Sequence, residues 1–122
     1  MTDFSTLAVH GGYNANRNDD AVSVPIYASA AFDLENAARG RDLAAGEISG
    51  FEYSRVANPT VDALERRLAA LEGGVGAVAV SSGMAAVSYA LMCAGEGGGR
   101  IIAPTNLYGA SVDALRFLDK FC

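Results

Sequence analysis

The order of elements predicts an α/β fold with a mainly parallel sheet, preceded by an extended N-terminal arm. Three observations carry that expectation. Residues 75–80 form a short, apolar, β-branched run that Ser81-Ser82-Gly83 turns into a proline-free stretch of good helix formers at 84–94. Ile101-Ile102-Ala103-Pro104 repeats the strand pattern, and a second helical stretch follows from Ala110. Upstream, Asn58-Pro59 opens an amphipathic helix that Gly73-Gly74 stops. Helix, strand, helix, strand, helix is how a parallel α/β sheet begins, with 76–80 and 101–103 side by side.

Composition bounds the rest. The chain has 122 residues, enough for one domain at most. Hydrophobic residues make up 51% and charged residues 19%, a globular balance rather than a disordered one. A net charge of −5 argues against nucleic acid as a partner. No apolar run approaches the ~20 residues of a membrane span. Neither does Met1-Thr2-Asp3-Phe4-Ser5 open a secretory signal. Cys93 and Cys122 share no metal spacing, and no metal site is expected. Cys93 reads as a core thiol, and the expected setting is cytoplasmic and reducing.

Taken in order, residues 1–32 look irregular. His10-Gly11-Gly12-Tyr13-Asn14 is rich in turn formers, and 22–32 gathers Val24, Ile26, Tyr27 and Phe32 around Pro25 without a helical period. An arm with those side chains exposed is expected to lie against its own domain or another subunit. His10, the only histidine, reads as a loop residue. Residues 33–45 can form a helix capped by Asp33, with Leu34, Ala37 and Ala38 as a narrow apolar stripe that Gly40 weakens. A loop at 46–55 carries Tyr53, Ser54 and Arg55. In the helix after it, Asn58 caps, Pro59 takes the first position, and Val61, Leu64, Leu68 and Leu71 line one face. The last helix, 110–121, puts Val112, Leu115 and Leu118 on its apolar face.

The Ser81-Ser82-Gly83 turn has the makings of an anion site. The first turn of a helix leaves backbone N–H groups unpaired, and its dipole favours negative charge. Gly83 permits close approach, and the two hydroxyls can cap the helix or donate to a phosphate. An ordinary αβ connection has the same residues. G-x-G-x-x-G is absent, and so is the phosphate loop ending G-K-[ST], the latter because the only lysine is Lys120. In an open α/β sheet ligands bind beyond the carboxyl ends of the strands, where Ser82-Gly83 and Leu107-Tyr108 both fall.

Four motifs follow one another: Tyr53-Ser54-Arg55-Val56-Ala57-Asn58-Pro59-Thr60, Leu71-Glu72-Gly73-Gly74, Ser81-Ser82-Gly83-Met84-Ala85-Ala86 and Asn106-Leu107-Tyr108-Gly109. In that order they resemble the cysteine/methionine-metabolism family of pyridoxal-phosphate enzymes, over essentially the whole chain. The resemblance implies the start of an aspartate aminotransferase-like domain. Residues 1–60 would be the arm and cofactor-phosphate loop, and 61–122 the beginning of the large cofactor-binding domain. It implies pyridoxal 5′-phosphate as cofactor, with its phosphate on Ser82 and the N–H groups of Gly83 and Met84 and its ring stacked on Tyr108. Tyr53 and Arg55 would reach the phosphate of a neighbouring subunit, so a homo-oligomer with a shared site is implied, acting on a small amino-acid substrate. Singly these residues equally suit a helix cap, a surface ion pair and loop fillers; their order points further.

Residues 35–38, 46–51 and Tyr53 look most like the O-acetylhomoserine sulfhydrylase branch. Methionine γ-lyases typically carry a cysteine where this chain has Ala110. Family members are several times longer, and the lysine that bonds the cofactor lies beyond residue 122. Lys120 is not in that motif. The resemblance implies the N-terminal portion of an enzyme for γ-replacement on O-acetyl-L-homoserine by sulfide or a thiol, with cystathionine γ-synthase or lyase and methionine γ-lyase as the other readings within the family. The alternative is a truncated, non-catalytic fragment or an oligomer-forming binding module; either way the chain has no catalytic residue of its own.

Overall fold

The computed structural model describes residues 3–96 and 98–119. They form two compact units, Met1–Val78 and Ala79–Cys122.

The first unit is built on α3, Pro59–Glu72. Its ends match the sequence: Asn58 caps through its side chain, Pro59 opens the first turn, and Gly73 closes the helix at φ 66°. Its buried face does not. Ala63 and Ala69 are buried, whereas Val61, Leu64 and Leu68 of the expected stripe stay exposed. The small side chains are selected because another helix comes close. That helix is α1, Phe4–His10, within the segment expected to be irregular. Asp3 before it and Gly11-Gly12 after it are ordinary start and stop signals, masked by the glycine-rich turn. Arg67 Nε donates to the Gly11 carbonyl at 2.8 Å, tying α3 to the end of α1. Gly12 then turns at φ 73°, and a Cβ there would lie 2.5 Å from the Arg67 backbone nitrogen. A 3₁₀ turn at Ala15–Arg17 follows.

The second helix begins later than expected. Asp33 Oδ1 accepts from the Glu35 N–H at 2.8 Å, closing a side-chain turn of its own. Glu35 sits at φ 61°, outside helical space. Asn36 therefore caps α2, Ala37–Ala44, by accepting from the Arg39 N–H. The arm lies partly against its own unit, one of the two expected placements. Val24, Tyr27 and Phe32 are half-buried, the last with its ring centre 5.7 Å from that of Phe51 in a tilted pair, while Ile26 remains 86% exposed.

In the second unit, α4 is Gly83–Ala94 and α5 is Gly109–Leu118, and they pack on each other. Leu118 is buried, with Val112 and Leu115 half-buried. Cys93 is exposed rather than a core thiol, because α4 buries none of its residues. Lys120, Phe121 and Cys122, placed by the sequence at or after the last helix, lie outside the described residues.

The expected parallel pair is not formed. Among the described residues, 75–80 and 98–104 make no ladder, and the one β-bridge is antiparallel, Ala31 to Tyr53. Parallel strands persist only where neighbouring strands and covering helices exclude water. Here Val78 is 83% and Ile102 92% exposed.

Candidate cofactor-binding site

The start of α4 is an open set of donors. Ser82 has extended backbone, at φ −159° and ψ 158°, and its Oγ accepts from the Ala85 N–H at 3.1 Å. The Ala86 N–H goes to the Ser82 carbonyl. The N–H groups of Gly83 and Met84 have no partner among the described residues. Capping uses a lone pair of the Ser82 hydroxyl and leaves its proton to donate. Ser81, Ser82 and Gly83 are exposed, no acidic residue lies in the first turn, and a Cβ on Gly83 would meet nothing within 4 Å. These groups suit a phosphate, which takes backbone N–H, hydroxyl donors and a positive dipole end together.

Tyr108 stands at the start of α5. It is the N-cap residue, its carbonyl accepting from the N–H groups of Ser111 and Val112, while its side chain makes no cap and is 73% exposed. Ser111 Oγ contacts Met84 Sδ at 3.9 Å, so the first turns of α4 and α5 adjoin. The structure thereby brings Ser82, Gly83 and Met84 to the same end of the helix pair as Tyr108. A cavity of about 440 Å³ opens at the other end, against Leu91, Gly95, Ile101 and Leu118, and holds none of the expected site residues.

Tyr53 and Arg55 belong to the first unit. The Tyr53 carbonyl accepts from the N–H groups of Val56 and Ala57, at 2.9 and 3.1 Å, which makes 53–57 a tight turn. This turn throws the Arg55 side chain back, with its guanidinium carbon 5.4 Å from the centre of the Tyr53 ring. Such a contact at an exposed site is worth roughly 0.5–1 kcal/mol. Arg55 is exposed and makes no ion pair among the described residues, so its charge is available to an anion.

What holds this turn was not read from the sequence. Phe32 N–H donates to the Glu52 carbonyl at 3.0 Å, and Ser54 N–H to the Ala30 carbonyl at 2.9 Å. Ser54 Oγ bonds the Ser29 carbonyl. Thr60 Oγ1 accepts from the Tyr27 N–H and donates to the Pro25 carbonyl, both at 2.9 Å. Asn58 donates to the Tyr27 carbonyl and to Ser54 Oγ, also both at 2.9 Å. The signal available was the run of Ser54, Asn58 and Thr60 beside the arm; only the cap was taken from it.

Comparison with known proteins identifies the family. The sequence pattern of the Cys/Met metabolism PLP-dependent enzymes matches residues 5–121. The chain belongs to that family. It is 43% identical over 108 residues to the O-acetyl-L-homoserine sulfhydrylase of Corynebacterium glutamicum, covering 88% of this chain and 25% of that protein. It is also 43% identical over 108 residues to the L-methionine gamma-lyase of Pseudomonas deceptionensis, covering 88% of this chain and 27% of that one. A solved structure from Campylobacter jejuni, described as an O-acetylhomoserine (thiol)-lyase, superposes with a TM-score of 0.70 at 42% identity. That match covers 75% of this chain and 22% of the other, which was solved with N′-pyridoxyl-lysine-5′-monophosphate. The chain thus spans about a quarter of the length of these relatives, and the family depends on pyridoxal phosphate. Among the described residues no three metal-ligating side chains converge, and no helix is long and apolar enough to cross a membrane.

Proposed function

We propose that these residues are the N-terminal portion of a PLP-dependent enzyme of the O-acetyl-L-homoserine sulfhydrylase type, which replaces the γ-acetoxy group of O-acetyl-L-homoserine with sulfide or a thiol. The observation that carries the reading is the paired helix start: N–H groups at Gly83 and Met84 without a partner among the described residues, the Ser82 hydroxyl, and Tyr108 at the same end of the helix pair. Likeness to the sulfhydrylase supports it, as does Ala110 where γ-lyases typically carry cysteine. Equal likeness to a γ-lyase favours a second reading within the family. Products separate the two: homocysteine from O-acetylhomoserine and sulfide, or methanethiol from methionine.

The roles follow from the chemistry of each group. Ser82 and the N–H groups of Gly83 and Met84 would hold the cofactor phosphate. Tyr108 would stack on the pyridine ring and fix its plane. Tyr53 and Arg55 would reach the phosphate of a neighbouring copy, where a guanidinium fork matches its oxygens. Bound there, the cofactor supplies an electron sink for the amino-acid substrate. The lysine that bonds it would come from a part of the protein outside this sequence. Residues 1–60 would then be arm and shared phosphate loop, and 61–122 the opening of the large domain, whose parallel sheet would be completed by further strands. The setting proposed is a cytoplasmic homo-oligomer.

Cofactor titration of the full-length apoenzyme tests these roles. Arg55→Ala should weaken binding by roughly 1.5–3 kcal/mol, the range for a charge-assisted contact. Mixing that variant with subunits disabled at the cofactor lysine should restore activity in hybrid oligomers. Tyr108→Ala should cost on the order of 0.5–1.5 kcal/mol beyond lost contact area, depend little on salt, and show no such rescue. Unchanged cofactor affinity in Arg55→Ala would leave Arg55 a surface charge and end the shared-site reading.

A further inference from the structure

We propose that Asn58 is a positioning residue for the phosphate-binding turn, holding Tyr53 and Arg55 against the arm as well as capping α3. The proposal rests on the reading of Arg55 as a phosphate ligand.

Asn58 is the one buried polar residue among the described residues, at 8% exposure. A helix cap needs only the side-chain oxygen, and serine, threonine or aspartate would serve. Here both donors of the amide and its oxygen are used. Oδ1 accepts from the Thr60 N–H at 2.9 Å, at the start of α3. One Nδ2 proton goes to the Tyr27 carbonyl and the other to Ser54 Oγ, each at 2.9 Å. Tyr27 belongs to the arm, 31 residues upstream, whereas Ser54 lies between the two expected phosphate ligands. Ser54 extends the chain by bonding the Ser29 carbonyl. Helix, arm and turn therefore meet on one amide. Neither aspartate nor serine could reproduce it, since neither carries two donors.

The consequence for binding follows from how a surface turn behaves. Among the described residues, Ser54, through its backbone and hydroxyl, and the Tyr53 bridge to Ala31 tie 53–55 to the arm besides Asn58. Arg55 itself is exposed, with its guanidinium over the Tyr53 ring. A long side chain reaching an anion on another surface must start from a fixed backbone, or its ordering entropy is subtracted from the contact. Satisfied networks of this kind rigidify the segment they enclose.

Asn58→Asp is the informative substitution. It keeps the acceptor for Thr60 N–H, and so the cap, and removes both donors. In the full-length apoenzyme carrying this segment, titrated with pyridoxal 5′-phosphate, affinity should fall about fivefold to tenfold, the equivalent of one to two ordinary hydrogen bonds. Helix content by circular dichroism should not change. The decisive comparison is a double-mutant cycle with Arg55→Ala. If Asn58 acts by placing the turn, Asn58→Asp should cost less than twofold once Arg55 is gone. Equal losses in both Arg55 backgrounds would make Asn58 a structural cap alone and overturn the proposal, as would undiminished affinity in Asn58→Asp. Should Asn58→Asp unfold the protein, Ser54→Ala reads the same tie from the turn side with the cap intact, and must show the same dependence on Arg55. If Arg55→Ala alone leaves affinity unchanged, the phosphate reading fails. If Arg55→Ala weakens binding and neither Asn58→Asp nor Ser54→Ala does, only the positioning role fails.

Discussion

Gly12→Ala should detach α1 from α3, and its size can be worked from the backbone. Gly12 lies at φ 73°, where an alanine costs about 1–2 kcal/mol against its usual conformations. Its new Cβ would lie 2.5 Å from the Arg67 nitrogen and 2.9 Å from both the Ala63 carbonyl oxygen and the Arg66 carbonyl carbon. All three are backbone atoms of a capped fourteen-residue helix, so no side chain can swing aside. Overpacking of that kind costs typically 1–3 kcal/mol. Together the two effects come to about 3 kcal/mol, or some two orders of magnitude in an opening equilibrium. Hydrogen exchange is the assay, read at Gly11, whose N–H donates to the Leu7 carbonyl at 2.8 Å and should lose protection by about that factor. Gly46→Ala is the control, because Gly46 sits at φ 72° but a Cβ there meets nothing within 4 Å. It should show the dihedral cost alone, in the amides at the end of α2. A Gly12→Ala effect no larger than that of Gly46→Ala would mean that α1 slides off α3 at no cost, and that close helix contact does not explain the buried Ala63 and Ala69.

Three further outcomes are expected. Incubated with O-acetylhomoserine, sulfide and cofactor, the 122-residue chain alone should form no homocysteine above the rate of free pyridoxal phosphate, since it lacks the lysine of the family motif. Light scattering at micromolar concentration should give a mass above one chain, because Ile26, Val61, Leu64 and Leu68 are exposed; Leu64→Glu with Leu68→Glu should lower it, and a monomer mass for the parent would count against the idea. The Tyr13 hydroxyl donates to the Ala21 carbonyl at 2.7 Å, and burial, then the nearby Tyr27, raise its pKa above the usual tyrosine value of about 10. A raised pKa favours the protonated fold, so this contribution is full below about pH 10 and is lost as pH rises through the folded value. Thermal midpoints against pH should fall less steeply there in Tyr13→Phe, and parallel profiles would refute the assignment.

Whatever was set by a few neighbouring residues could be read from the sequence. Asn58, Pro59 and Gly73 bound α3 because caps and a left-handed stop act within one turn. Ser82 and the two residues after it opened α4 for the same reason. What depended on distant residues went unread. The face of α3 was taken from its large side chains, yet Ala63 and Ala69 are buried, and at Ala63 a backbone brought close at Gly12 leaves room only for a small residue. Asp33 was read as the cap of α2, but its carboxylate is spent on Glu35, and two capping candidates three residues apart compete for one helix.

The turn at 53–57 divides along the same line. Tyr53 and Arg55 were visible as a motif, while the scaffold that aims them joins atoms 25 to 35 residues apart. No periodicity records such a tie, since a polar side chain facing the arm and one facing water have the same sequence pattern. The two regions also differ in what they require of the rest of the protein. The α4 donors are complete once the first turn forms, because their orientation comes from the helix itself. Arg55 has no acceptor in its own unit among the described residues and spends its charge on the Tyr53 ring. An exposed cation–π contact of roughly 0.5–1 kcal/mol is weaker than a charge-assisted bond to phosphate, so the guanidinium can leave the ring when an anion arrives. The backbone beneath it, held through Ser54 and Asn58, need not move for that exchange.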